Sequence, residues 1–198
     1  MKGFAIVMMV VMADIVVNLT PIPNTVPETQ PVVVETQAPT EAQRTEIPAP
    51  PAQEGFVAYS IYGRIPPIEW QQYLYNELAS RGYAWYMPYA MCQIFQESRW
   101  DQYSDNGVDV GLTQQKAVYW QTRSAYWGVP GASIWNPYAQ LRVYAGMMCQ
   151  FLAQTGSVEW ALSLYFYGNG EYAEKYVSDV MSHWEALEVR EEADDETD

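Results

Sequence analysis

From Pro66 onward, apolar residues recur at three- and four-residue spacing and are punctuated by proline and glycine, which predicts a succession of helices. Pro66 and Pro67 precede a stripe of Trp70, Tyr73, Leu74 and Leu78 that stops at Arg81-Gly82, with proline at the helix start and glycine past its end. Pro88 opens a second segment, apolar at Met91, Ile94 and Phe95 up to Glu97-Ser98. A third runs from about Gln115 to Tyr126 and stops near Gly128-Val129-Pro130. Asn136-Pro137 starts a fourth, striped with Leu141, Tyr144, Ala145, Met148 and Leu152 before Gly156. Ser157 caps a fifth, Val158 to Tyr167, which is apolar on nearly every face and is therefore expected at the centre. Beyond Gly168-Asn169-Gly170 a sixth carries Tyr172, Tyr176, Val180, Trp184 and Leu187. No run alternates with period two, so the expectation is an all-α fold: about six helices with one polar loop, Arg99 to Val110, after the second.

The flanks read differently. Met1-Lys2-Gly3, the apolar run Phe4 to Ala13 and then Asp14 match a secretory signal peptide, or an N-terminal anchor reaching Leu19. The run is shorter than the roughly twenty residues that span a bilayer. Either reading puts the rest of the chain outside the cytoplasm, in the wall, in the medium or on an outward-facing anchor. Residues 20–53 carry Pro21, Pro23, Pro27, Pro31, Pro39, Pro48, Pro50 and Pro51 among Thr, Glu and Val, a composition that cannot build a core and serves as a semi-extended linker. Residues 188–198 hold seven acids and one Arg, an expected solvated tail. The globular domain is thus 54–187.

Charge narrows the partners. The net charge is −14, with ten Lys and Arg, which argues against nucleic acid as a partner. Most of the excess is terminal: residues 54–184 have eleven acids against seven cations, or −4. Cys92 and Cys149 both fall in expected helices and leave two readings open, one disulfide in an exported protein or two buried thiols. Neither has a basic partner in the sequence, since the one histidine, His183, lies on the last helix. One His and two Cys offer no metal-ligand spacing, and no cofactor motif is present. Membrane contact is expected only through the N-terminal segment.

One acid stands out by position. On a helix, Glu97 shares a face with Ala90, Gln93 and Ile94, so its carboxyl leaves a partly apolar wall in the last turn. Desolvation there and the negative end of the helix dipole both disfavour the charged form. A raised pKa is what a general acid needs near neutral pH.

The wider pattern gives that acid a context. Glu97-Ser98, then Gly111-Leu112-Thr113-Gln114, then Ala161-Leu162-Ser163-Leu164-Tyr165, then Tyr176-Val177 resemble, in order, motifs of the lytic transglycosylase domain of glycoside hydrolase family 23, a lysozyme-like fold. Asn136-Pro137 occupies that family's Asp-Pro helix start, and the resemblance covers roughly residues 66–184. It implies a helical domain that cleaves the β-1,4 bond between N-acetylmuramic acid and N-acetylglucosamine in peptidoglycan glycan strands. By the same resemblance, Glu97 protonates the leaving oxygen and then acts as base on the muramyl 6-hydroxyl, closing a 1,6-anhydro ring. The neighbouring N-acetyl group replaces the second carboxylate that most glycosidases use. Ser98 is expected to orient Glu97 or the acetamido group, Gln114 to line the sugar groove, and Tyr165 to hydrogen-bond near Glu97.

Four positions depart from the family pattern. Thr113 replaces a Met that packs beside the sugar, Phe166 replaces the Asn after the helix Tyr, and Gln140 and Tyr144 stand where Asn and Gly are common. A hydrolytic lysozyme of the same fold stays open, with Asp101, Asp105 or Asp109 positioning a water. So does a wall-binding or assembly module that holds glycan without cleaving it.

Overall fold

The computed structural model describes residues 56–167 and 170–190. The signal or anchor segment, the linker and residues 191–198 of the acidic tail lie outside the described residues. Six α-helices carry the chain: α1 (Ile68–Ala79), α2 (Met87–Ser98), α3 (Trp120–Tyr126), α4 (Pro137–Thr155), α5 (Val158–Phe166) and α6 (Glu171–Ser182). Their starts and stops follow local chemistry. Asn136 caps α4 by accepting the Ala139 N–H at 3.0 Å, with Pro137 as the first helical residue. Gly156 ends the same helix in the left-handed conformation, and Ser157 then accepts the Trp160 N–H to start α5.

The fold is mostly helical but not all-α. β1 (Ala58–Ile61) pairs antiparallel with β4 (Leu187–Arg190), Ile61 opposite Leu187 and Ala58 opposite Arg190, joining the two ends of the domain. β2 (Asp109–Val110) pairs with β3 (Gln115–Lys116), and Gly111 to Gln114 form the tip of that hairpin. Strands of two and four residues are too short to display a period, so the helical stripes on either side hide them. Two boundaries move in consequence. The expected third helix begins only at Trp120, and the domain extends through Arg190 rather than stopping before an acidic tail at 188. Gln71 ties β1 to α1: its side chain accepts the Tyr59 N–H at 2.8 Å and donates to the carbonyls of Tyr59 and Pro66.

The central helix is α4, not α5. Leu141, Val143, Tyr144, Ala145 and Met148 are fully buried on it, and it packs against both α1 and α5. On α5 only Ala161, Leu162 and Tyr165 are buried, whereas Trp160 is 68% exposed and Leu164 and Phe166 are also at the surface. Apolar composition all round a nine-residue helix does not make it central. Nineteen residues of α4 reach neighbours on every side, and each large side chain buried there contributes about 1.5–3 kcal/mol. Gly146 on α4 lets the Trp127 ring lie directly on the helix; a side chain there would overlap that ring. This contact seats α3 against α4.

Cys92 and Cys149 are buried free thiols, so the disulfide reading does not hold. Both sit in the core cluster with apolar neighbours. Burial pushes the Cys92 thiol up to about 12 and that of Cys149 up to about 11, so both stay protonated and unreactive.

Candidate active site

Glu97 sits in the last turn of α2, immediately before a sharp reversal in which Arg99 and Trp100 both take the left-handed conformation (φ 55° and 65°). Non-glycine residues resist that region, and Trp100 holds it by burying its ring in the core. The reversal throws the polar loop across the end of α2 and returns it as the β2–β3 hairpin. A cleft of about 440 Å³ lies between them, within the range of small-molecule sites. The loop and hairpin contribute Asn106, Asp109, Gln114 and Lys116 to its lining, and α3 contributes Arg123. Glu97 and Gln96 enter from α2, Met147 from α4, Tyr165 and Phe166 from α5, and Tyr176 from α6. His183 holds Gln96 through a 2.8 Å contact to the amide oxygen, so the sole histidine acts beside the cleft rather than in it.

The Glu97 carboxyl is half-buried, and its proton is held well beyond the usual carboxylate range, pushed up to about 8. Burial is the main cause, a hydrogen bond from Tyr176 opposes it, and the negative charge of Asp109 adds to it. Burial as the driving effect agrees with the sequence expectation.

The Tyr176 bond has a defined direction. The hydroxyls of Tyr86 (3.0 Å) and Tyr144 (2.7 Å) both donate to the side-chain oxygen of Gln93, which fixes the orientation of that amide. Its Nε2 then donates to the Tyr176 oxygen at 3.1 Å. With its lone pair so engaged, the Tyr176 hydroxyl directs its one proton to Glu97 Oε1. The carboxyl is thereby held by one oxygen, leaving Oε2 to carry the acidic proton. Phe166 stacks on the Tyr176 ring at 4.8 Å and 15°, restraining it further.

The expected site residues divide. Gln114 does line the cleft, although its amide is tied to the carbonyls of Gly111 (2.9 Å) and Ser104 (3.3 Å) and accepts from Asn106. Tyr165 lines it too, but its hydroxyl donates to the Thr113 carbonyl at 2.6 Å and accepts from Gln115, so Tyr176 and not Tyr165 holds Glu97. Ser98 does not orient the acid: its hydroxyl donates to the Leu112 carbonyl at 2.6 Å, pinning the hairpin tip to α2. Thr113 does not face a sugar, being fully buried, with its N–H (2.8 Å) and hydroxyl (3.1 Å) both donating to Gln140. Among the loop acids, Asp101 and Asp105 accept backbone N–H groups two residues on, from Tyr103 and Gly107, and only Asp109 lines the cleft.

Gln140 anchors the hairpin more widely. Besides Thr113, it binds the carbonyls of Ile134 and Val110, so a single α4 amide anchors the hairpin. It lies directly against Gly111, whose φ is +79°. A Gly111→Ala side chain would overlap that amide and adopt a disfavoured backbone conformation. The expected cost is about 2–4 kcal/mol, read as a lowered denaturation midpoint at unchanged slope. A loss under about 0.5 kcal/mol would mean the hairpin is not held this way.

Sequence reasoning placed neither Tyr176 nor Gln93 in the site. The signal for Tyr176 was its place in the late Tyr-Val motif, and for Gln93 a polar residue on a buried face four positions before Glu97. Lys116 and Arg123 had no sequence signal. Compared with protein-family models, curated proteins and solved structures, the chain matches none.

Proposed function

We propose that the protein is an exported peptidoglycan lytic transglycosylase with a lysozyme-like catalytic domain, cleaving the bond between N-acetylmuramic acid and N-acetylglucosamine with Glu97 as acid and then base. The observation that carries the reading is the state of Glu97: a half-buried carboxyl, still protonated at neutral pH and aimed by Tyr176, opening on a cleft lined by rings and amides. Rings suit the C–H faces of sugars, and amides suit their hydroxyls. In this mechanism the Glu97 proton passes to the glycosidic oxygen as the C1–O bond breaks, and the substrate acetamido group stabilises the developing positive charge at C1. The Glu97 carboxylate then takes the proton of the 6-hydroxyl as that oxygen bonds to C1. No water is consumed, and the acid is regenerated.

A second reading, the lysozyme-type hydrolase, is favoured by one observation. Asp109 lines the same cleft close enough for its charge to raise the Glu97 pKa, a placement that suits a base for an attacking water. Mass spectrometry of muropeptides from digested sacculi separates the two. Anhydromuramyl ends support the transglycosylase, and reducing ends labelled by heavy-oxygen water support the hydrolase. Intact sacculi after prolonged incubation would leave only glycan binding.

A further inference from the structure

We propose that Lys116 and Arg123 form a carboxylate subsite in the cleft, so that the preferred substrate is a glycan strand carrying a free carboxylate on its muramyl arm, either the lactyl group itself or an acid of the attached stem peptide. This rests on the peptidoglycan reading above and names the substrate class for that site.

Charge bookkeeping sets the cleft apart from the rest of the molecule. The chain carries −14, and its folded part is also acidic. The cleft is lined by two acids and two cations, but Glu97 is protonated at neutral pH, so Asp109 alone offsets Lys116 and Arg123. A net positive cleft in an acidic protein selects an anionic group by local field, while the surrounding surface repels it elsewhere.

Both cations are prepared for such a group. The Arg123 guanidinium lies over the ring of Tyr119 (5.3 Å) and over that of Tyr167 (5.4 Å). Its guanidinium donates to Gln115 Oε1 at 2.9 Å and to the Tyr167 hydroxyl at 2.7 Å. Two of five N–H donors are thus used to orient the fork, and three remain. Lys116 is half-buried, lines the same cleft and forms no ion pair among the described residues, although Asp109 is its cross-strand neighbour in the hairpin. A fixed guanidinium with spare donors and an unpaired ammonium lining one cleft is an arrangement that binds a carboxylate at low ordering cost.

On peptidoglycan that carboxylate has two sources, the lactyl group of a strand stripped of peptide or the acids of a stem peptide. The test measures KM and kcat for wild type and Lys116→Gln on stem-bearing strands, on the same strands with carboxylates capped as methylamides, and on amidase-stripped strands. The expected result is that Lys116→Gln raises KM on the strands that bear the recognised carboxylate by about fivefold, with kcat changed less than about twofold, as for a partly desolvated ion pair. Capping should raise the wild-type KM similarly, and the penalty of the substitution should shrink on capped strands, because the two changes remove the same interaction. A penalty that appears on stripped strands and not on stem-bearing ones assigns the lactyl carboxylate, and one that vanishes on stripped strands assigns the stem. Equal penalties on free and capped strands, or no penalty on stem-bearing and stripped strands alike, overturn the subsite. Co-sedimentation of Glu97→Gln and Glu97→Gln/Lys116→Gln with free and capped sacculi reads the same coupling without turnover. Failure of the peptidoglycan reading would appear instead as no cleavage by wild type on any strand.

Discussion

Glu97→Gln is expected to reduce release of muropeptides from sacculi by about 10²- to 10⁴-fold while making the fold more stable near neutral pH. The two effects have one cause. In the folded protein the carboxyl holds its proton up to about pH 8, against 4.5 for an ordinary Glu. Between those values the folded state binds more protons than the unfolded state, so stability falls as pH rises through the window. At pH 7 the wild type therefore bears a cost on the order of 3 kcal/mol for keeping this group protonated in a desolvated place. Glutamine, neutral at every pH, escapes that cost and can still accept from Tyr176. Thermal unfolding should show the variant melting several degrees above wild type at pH 7 to 8, with the difference closing toward about pH 4. Activity should follow the same proton: kcat/KM on a plateau below about 8, then falling about tenfold per pH unit above it. A basic limb near the ordinary carboxylate range, or a variant less stable than wild type at pH 7, would mean that Glu97 is a solvated surface acid.

Tyr176→Phe should be the most damaging change that leaves Glu97 in place. The lost hydroxyl donates to Glu97 and accepts from Gln93. Its removal leaves a buried amide N–H without an acceptor, costing about 1–3 kcal/mol of stability. The carboxyl also loses the bond that aims it, for an expected fall in kcat of about 10- to 100-fold. Because that bond opposes burial, the Glu97 pKa should rise further without it, moving the basic limb of the pH profile upward. The ring itself should stay in place against Phe166. A variant with reduced kcat but an unmoved limb would show that Tyr176 supports the fold and not the acid. Tyr165→Phe provides the contrast, since that hydroxyl bonds Thr113 and Gln115 rather than Glu97.

Much of this was legible in the chain because it depends on neighbours in sequence. Proline and glycine punctuation with three- and four-residue stripes located α1, α2, α4, α5 and α6 to within a few residues, since caps and periodicity are properties of one segment. The same locality put Glu97 at the end of α2, next to the loop that roofs the cleft. Other features have no local signature. The strands, the start of α3, the rank of α5, the free cysteines and the strand within the acidic tail all depend on what a segment packs against. The four residues of β4 become a strand because β1 lies beside them, 126 positions away at Leu187 and Ile61.

The partners of the acid belong to the same class. Tyr176 is 79 residues from Glu97, and Gln93 is oriented by Tyr86 and Tyr144 on other elements. Thr113, Ser98 and Tyr165 are residues a motif brings to attention, yet tertiary contacts turn Thr113 and Ser98 into struts for the hairpin and give the tyrosine's proton to a backbone carbonyl. The sequence by itself determined where helices begin and end and which acid stands at a helix terminus, because backbone capping and side-chain periodicity act within a turn or two. Only the tertiary structure decided which carboxyl keeps its proton, which hydroxyl holds it and which cations share its cleft, because burial and hydrogen-bond direction arise where distant segments meet.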